Sequence, residues 1–456
     1  MARKRLPPFD VEITALTDGG VGLGDLDGTP VHVRGAPVGA TLHVCPAGRR
    51  KGILRARRLH IISPAPNAVE PECGIFGLCG GCTLQEMPLS AQRMEKEALA
   101  HVQIGSLSDV DVIPIEGTDA AYGYRNKVEL SFGTKRYLND EDMAAGVPFG
   151  GRFLGFHAAG RFDRIVEPDP CALVSPAMGK IVAEVRAFLK TSSFEPWDVR
   201  AHTGFWRHLV LRETQLGERL VVFYTSEPSE GAAEELAVLA GRLPEVTGVL
   251  WHVNPRTGDA AIGDLRAVLR GREWVEERLG ERHYKLSATA FFQTNTRGAE
   301  LLYERIRQLA GGGKRLLDLY CGVGSIGLHL AEDFEEIVGV EINEQAVADA
   351  RKNAADNGVL NARYIAGPVR EVVGQLEADV VVVDPPRAGL HPKVAQWLST
   401  LQCERLIYVA CKPSSLGRDR VILEAGGWVL TRLATVDLFP QTGHMEAVAL
   451  FEHRHD

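Results

Sequence analysis

Lys314 to Ala331 reads KRLLDLYCGVGSIGLHLA, and this stretch decides the fold. A mostly apolar strand, Arg315 to Leu319, runs into a turn holding Gly322, Gly324 and Gly327, and an apolar helical run from Ile326 to Ala331 follows at once. Strand, glycine turn and helix in that order predict a backbone cradle at the carboxyl edge of a parallel sheet, where nucleotide-like cofactors bind. Glycine suits the turn because the backbone must take positive φ and approach a ligand closely. A second strand, Ile337 to Val340, ends on Glu341, about twenty residues past the turn and placed to bond ribose hydroxyls. On these residues alone a nicotinamide enzyme and a methyltransferase are both open.

Further along, the valine run Val380 to Val383 predicts a buried strand that stops at Asp384-Pro385-Pro386-Arg387. The two prolines remove backbone donors and fix φ, so the chain leaves the sheet as a rigid loop. Another strand, Leu406 to Ala410, delivers Cys411 in the run ACKPSSLGRD. The glycine turn, Glu341, Asp384 and Cys411 are thus expected on one edge of one sheet. Together with Gly443-His444-Met445-Glu446, these motifs resemble the RNA uracil-5-methyltransferases that use S-adenosylmethionine, whose hallmarks are DPPR, a Cys-x-Pro loop and a late Glu in HxE. The resemblance covers nearly the whole chain.

It implies an α/β chain with a Rossmann-like class I methyltransferase domain, Cys411 as nucleophile and Glu446 as base. It assigns methyl-donor binding to Gln293, Tyr320, Ser325, Glu341 and Asp384. Two residues depart from the family pattern. Ser325 stands where Asn is common, which shortens its reach, and Pro368 stands where an acid near the adenine is usual. The chemistry explains the residue types. Carbon 5 of uracil is a poor nucleophile until a thiolate adds to carbon 6, and a base must then remove the carbon 5 proton. Lys412 and Arg418 are close enough in sequence to be expected to lower the Cys411 pKa.

With 456 residues the chain has room for two or three domains. It contains no run of eighteen apolar residues to suggest a membrane span. The start, MARKRLPPFD, lacks the apolar core of a signal peptide, so a cytoplasmic protein is expected, and a monomer. Net charge is −8, yet residues 1–62 carry ten Lys/Arg against five Asp/Glu, and it is local charge that meets nucleic acid.

Those residues read as short alternating strands broken by Asp18-Gly19-Gly20, Asp27-Gly28 and Gly35, the pattern of a small β-barrel. This one looks like a TRAM domain, an oligonucleotide-binding-type barrel. Its tract Arg49-Arg50-Lys51 to Arg55-Ala56-Arg57-Arg58 is expected to contact phosphates. Residues 63–285 read as an α+β central domain and 286–456 as the methyltransferase domain. Within the central domain a helix is expected from Ser90, as cap, to His101, and a loop over Asp140 to Phe149. Tyr124-Arg125-Asn126-Lys127 and Arg207-His208 are candidate RNA contacts. Phe291 is a candidate to stack on a base, and Phe292 a candidate for the core.

Cys73, Cys79 and Cys82 crowd one glycine-bearing loop, with Cys171 at a distance. Four thiolates suit structural zinc or a [4Fe–4S] cluster. The Cys-x5-Cys-x2-Cys…Cys spacing resembles the family's cluster, and the expectation is iron–sulfur in a stapling role. Within the family, barrel plus four cysteines implies 23S ribosomal RNA rather than transfer RNA as partner. A cytosine-5-methyltransferase would carry cysteine in the DPPR loop, and an N-methyltransferase an aromatic residue there. A non-enzymatic RNA-binding protein would leave the cofactor edge without a use.

Overall fold

The computed structural model describes residues 6–168, 170–372, 374 and 376–453. Three of the ten basic residues counted in the N-terminal segment, Arg3, Lys4 and Arg5, lie outside them. No helix among the described residues is long and apolar enough to cross a membrane.

The strand Gly313–Leu319 is the hub of an eight-stranded sheet. Its order is Ala362–Ala366, Phe334–Glu341, Gly313–Leu319, Val380–Val383, Arg405–Ala410, Glu446–His453, Trp428–Asp437 and Asp111–Gly117. The first five strands are parallel, and Glu446–His453 runs antiparallel to both of its neighbours. Both faces are covered, which is why the strands read as unbroken apolar runs. Leu316, Val380 and Val382 enter one hydrophobic cluster, while the alternating Leu317, Val381 and Val383 enter the other. This is a class I methyltransferase arrangement, with the strand-end loops gathered along one edge.

The last strand of the sheet, Asp111–Gly117, pairs in parallel with Trp428–Asp437 although it lies within 63–285. The helix before it, Leu89–Ile104, packs on Pro413–Ala425 so closely that a Cβ on Gly417 would fall 2.2 Å from the Gln103 carbonyl oxygen. Residue 285 itself falls inside a hairpin, Trp274–Leu279 with Arg282–Ser287, whose Val275, Leu279, Tyr284 and Leu286 join the methyltransferase core. Contiguous boundaries therefore do not follow the packing. The helix cap also falls two residues earlier than expected: Pro88 holds the cap position without a side-chain bond, and Ser90 lies in the first turn.

The remaining middle segment forms a seven-stranded mixed sheet from Lys127 to Gly271. Helices Pro176–Leu189 and Ala232–Arg242 cover one face. Val210, Val222, Tyr224 and Leu250 on the other face merge with the methyltransferase core. Where a loop was expected after Asp140, a short helix Asp140–Ala144 forms, because Asn139 and Asp142 build a capping box. At the N-terminus six strands curl about Val11, Ile13, Val31, Val33, Leu42 and Val44. Strand Val21–Leu26 crosses strand Phe9–Glu12 so tightly that a Cβ on Gly24 would lie 2.4 Å from the Val11 side chain.

Candidate active site

Strand register brings the predicted residues together. Leu319 pairs with Val340 and with Val383, so Tyr320, Glu341 and Asp384 leave the sheet at one level. Ala410 pairs with Ala447 in the antiparallel ladder. Cys411 follows Ala410 and Glu446 precedes Ala447, so the two lie at the same end of this strand pair. One cavity of about 750 Å³ is lined by Gln293, Tyr320, Glu341, Asp384, Cys411 and Glu446. Ser325 is not on its wall: the side chain is buried and its Oγ bonds Tyr303 Oη at 2.8 Å. A residue at the start of a buried helix turned inward rather than toward the cleft.

The cradle is built as the glycine pattern required, with φ of 54° at Gly322 and 79° at Gly324, and Tyr320 shares the left-handed region at 66°. Gly324 must also be small, since a Cβ there would lie 2.6 Å from Tyr364 Oη. Glu341 braces the turn from the next strand: its Oε2 accepts from the Gly322 N–H at 3.2 Å and its Oε1 from the Asn343 N–H at 2.8 Å.

Acids dominate the electrostatics. Glu341, Asp349, Asp384 and Glu446 line the cavity, against Arg125 and Arg387. Burial, then the Asp384 charge, pushes Glu446 well above the carboxylate range, with Arg387 opposing. Burial likewise pushes Asp384 up. Asp318, beneath the turn and bonded to the Gly327 N–H at 3.0 Å, is pushed to about 7, chiefly by burial.

Burial, Glu446 and Asp384 together push the Cys411 thiol up to about 11, and Arg387 opposes them. Neither Lys412 nor Arg418 acts on the thiol as expected. Lys412 faces Asp18 at 3.4 Å, and Arg418 is held by Asp419 and the Ala388 carbonyl. His444 is kept neutral, its pKa lowered to about 4 by burial and neighbouring cations.

A second cavity, of about 640 Å³, is lined by all four of Cys73, Cys79, Cys82 and Cys171. None is in a disulfide. Among the described residues no three His, Cys, Asp or Glu side chains are grouped tightly enough for a single metal ion. The four thiols, from two separate segments, thus share one open volume. Arg125, Ala290, Phe291 and Thr294 line both cavities, so the two adjoin.

Phe291 is 68% exposed on that shared wall, while Phe292 is core, packed on Tyr284. Other predicted RNA contacts serve structure. Tyr124 Oη donates to the Pro440 carbonyl at 2.8 Å, and Asn126 Nδ2 donates to the Gln293 carbonyl at 2.9 Å. Arg207 is buried, donating to the Asn254 carbonyl at 2.9 Å and stacked on Trp197, and His208 is buried beside it. On the N-terminal ribbon Arg49, Arg50, Lys51, Arg55 and Arg57 are exposed, but Arg58 pairs with Glu86 at 2.5 Å.

Sequence reasoning missed the roles of Arg387 and Ile342. Arg387 stood in the DPPR motif with no charge partner visible in sequence. Ile342 is 62% exposed on the cavity wall beside Glu341, and its signal is an apolar residue left outside the strand.

Comparison with known proteins agrees with this fold. A family model described as tRNA (Uracil-5-)-methyltransferase matches residues 371–454, and one described as Methyltransferase small domain matches residues 290–403. An RNA methyltransferase of Chlorobaculum tepidum, otherwise uncharacterized, is 37% identical over 88% of this chain and 86% of its own. Another from Caldanaerobacter subterraneus is 34% identical over 97% of this chain and 98% of its own. Among solved structures, the Pyrococcus abyssi tRNA (uracil-54, C5)-methyltransferase in complex with S-adenosyl-L-homocysteine superposes with a TM-score of 0.77. It is 27% identical and covers 97% of this chain and 100% of its own.

Proposed function

The chain belongs to the S-adenosylmethionine-dependent RNA uracil-5-methyltransferases, and from that premise we propose that it methylates carbon 5 of a 23S ribosomal RNA uridine through a covalent Cys411–uracil intermediate. The observation that supports the mechanism is that Cys411 and Glu446, at the same end of paired strands, line one cavity with Gln293, Tyr320, Glu341 and Asp384. Cys411 loses its proton to solvent and adds as the thiolate to carbon 6, leaving an enolate whose carbon 5 is nucleophilic. S-adenosylmethionine would supply the methyl group to carbon 5 from its sulfonium and leave as the neutral thioether. Glu446 then takes the carbon 5 proton, the electron pair reforms the double bond, and Cys411 leaves. The base role is supported by the place of Glu446 on the wall of the cavity that Cys411 also lines.

Gln293, Tyr320, Glu341 and Asp384 hold the donor, with Glu341 on the ribose and Ile342 as an apolar face for the adenine where Pro368 has no acid to offer. Ser325 acts through Tyr303. Cys73, Cys79, Cys82 and Cys171 hold a [4Fe–4S] cluster that ties the Cys73–Cys82 loop to the segment at Cys171; methyl transfer moves no net electrons, so its part is structural.

The target has a second reading. The Pyrococcus abyssi enzyme acts on tRNA and matches 97% of this chain, N-terminal domain included, so domain make-up does not separate the two RNAs. Incubating the protein with labelled S-adenosylmethionine and either 23S ribosomal or transfer RNA transcripts, then mapping the product by mass spectrometry, decides. 5-Methyluridine in 23S RNA is expected. Label only in transfer RNA establishes the second reading, and 5-methylcytidine or no label overturns both.

A further inference from the structure

The segments flanking Cys411 and Glu446 are held by one turn of the N-terminal domain. Glu446 follows the loop Leu438 to Met445. Gly443 in that loop forms a backbone bridge with Gly19. A Cβ on Gly443 would lie 1.8 Å from the Gly20 nitrogen and 2.3 Å from the Gly19 carbonyl carbon, so the two backbones are in direct contact. On the other side of the same turn, Asp18 faces Lys412, the residue after Cys411, at 3.4 Å, and accepts a bond from Gln103. Three consecutive residues, Asp18, Gly19 and Gly20, thus touch the loops of both reacting groups.

The loop needs holding. Gln441 is buried with φ at 69°, a conformation a non-glycine residue keeps only when its surroundings impose it. Gln92 bonds it twice, accepting from its N–H at 2.8 Å and donating to its Oε1 at 3.0 Å. Thr83 and Leu84 donate their N–H groups to the Gln441 carbonyl at 2.9 and 3.1 Å, and Thr83 Oγ1 donates to the Gly19 carbonyl at 3.1 Å. Thr83 therefore ties the turn to the strained residue.

We propose that the Asp18–Gly19–Gly20 turn is a positioning device for the catalytic pair, so that the N-terminal domain sets the geometry of Glu446 and Cys411 as well as meeting RNA. This rests on the reading of those two residues as the reacting pair. Misplacement by about 1 Å costs on the order of a hundredfold in rate.

The test uses full-chain variants. Gly443 does not have a left-handed φ, so Gly443→Ala meets no local backbone penalty and its obstacle is the turn. It is expected to lower kcat about a hundredfold, to leave the RNA Kd within about twofold, and to raise the fraction of protein trapped as covalent RNA adduct. Asp18→Ala, at an exposed pair that does not threaten folding, should lower the rate of adduct formation about threefold, with Asp18→Glu restoring it. A kcat at the wild-type value in both variants overturns the proposal, as does a loss confined to RNA Kd. If Gly443→Ala fails to fold, the Asp18 pair of variants decides alone. Wild-type protein that forms no adduct at all would instead sink the catalytic reading beneath it.

Discussion

Replacing Glu446 by Gln separates its two physical roles, because rate and stability should move in opposite directions. The side chain is 3% exposed and its carboxyl is held protonated well above its ordinary 4.5 by burial and by Asp384. In the folded state the proton stays on to a higher pH than in the unfolded chain, so the unfolded state binds fewer protons in that window. Stability is therefore lost as pH rises from 4.5 toward the folded pKa, by at most about 1.4 kcal/mol per pH unit. Gln keeps the shape and is never charged, so the variant should gain on wild type over the same window. Loss of the base should slow turnover about 10²- to 10⁴-fold. Addition and methyl transfer precede proton removal, so a methylated covalent complex should accumulate and survive a denaturing gel. Urea unfolding from pH 4 to 8, with single-turnover methylation on the same preparations, measures both. Turnover at the wild-type rate would move the base elsewhere. Parallel stability–pH curves would refute the electrostatic account even if activity fell.

Cys411→Ala should form no adduct, and wild-type addition should accelerate from pH 7 to 9, since the thiol is pushed to about 11. Arg387→Ala removes the opposing charge and should slow addition further at pH 8, and an unchanged rate would contradict that role. Protein purified without oxygen should carry iron and sulfide, lost in Cys171→Ser; zinc without iron would replace the cluster with a single ion. Neutralising Arg49, Arg50, Lys51, Arg55 and Arg57 should weaken RNA binding at low salt and flatten its salt dependence, whereas Arg58→Ala should act on stability through Glu86.

What was legible in the sequence was local. The glycine turn, the valine strand before Asp384 and the strand before Cys411 each carry their signal within about ten residues, and parallel strands between helices can be ordered by few rules. Contacts between distant segments were not legible. Asp111–Gly117 is an unremarkable short strand until Trp428–Asp437 offers it an edge. The acceptors of Tyr124 and Arg207, and the partner of Arg58, lie on other segments, so each read as a free polar residue when in fact its donors were spent inside the protein. For Ser325 the reason is another: residue identity does not say which way a side chain turns, and its hydroxyl bonds the Tyr303 hydroxyl.

The facing of Cys411 and Glu446 explains why the site needs so much structure around it. An ionised carboxylate beside the thiol opposes formation of the thiolate, and the buried acid itself resists ionisation. With the cavity empty, two anions side by side would be costly, and neutral thiol with neutral acid is the cheaper state. The reaction needs thiolate first and carboxylate later, never both at full charge without a counter-ion. Arg387 supplies one fixed cation, and the sulfonium of the donor brings a second only until its methyl group is transferred. The donor's charge therefore favours the thiolate, while the later carboxylate step has Arg387 alone and no thiolate left to oppose it. The same arrangement leaves little tolerance in position, because Coulomb terms this close change steeply with distance. A loop anchored at Gly443 and Gln441 by backbone contact and buried amides keeps Glu446 at one distance through the cycle, which side-chain packing at the open cavity would not.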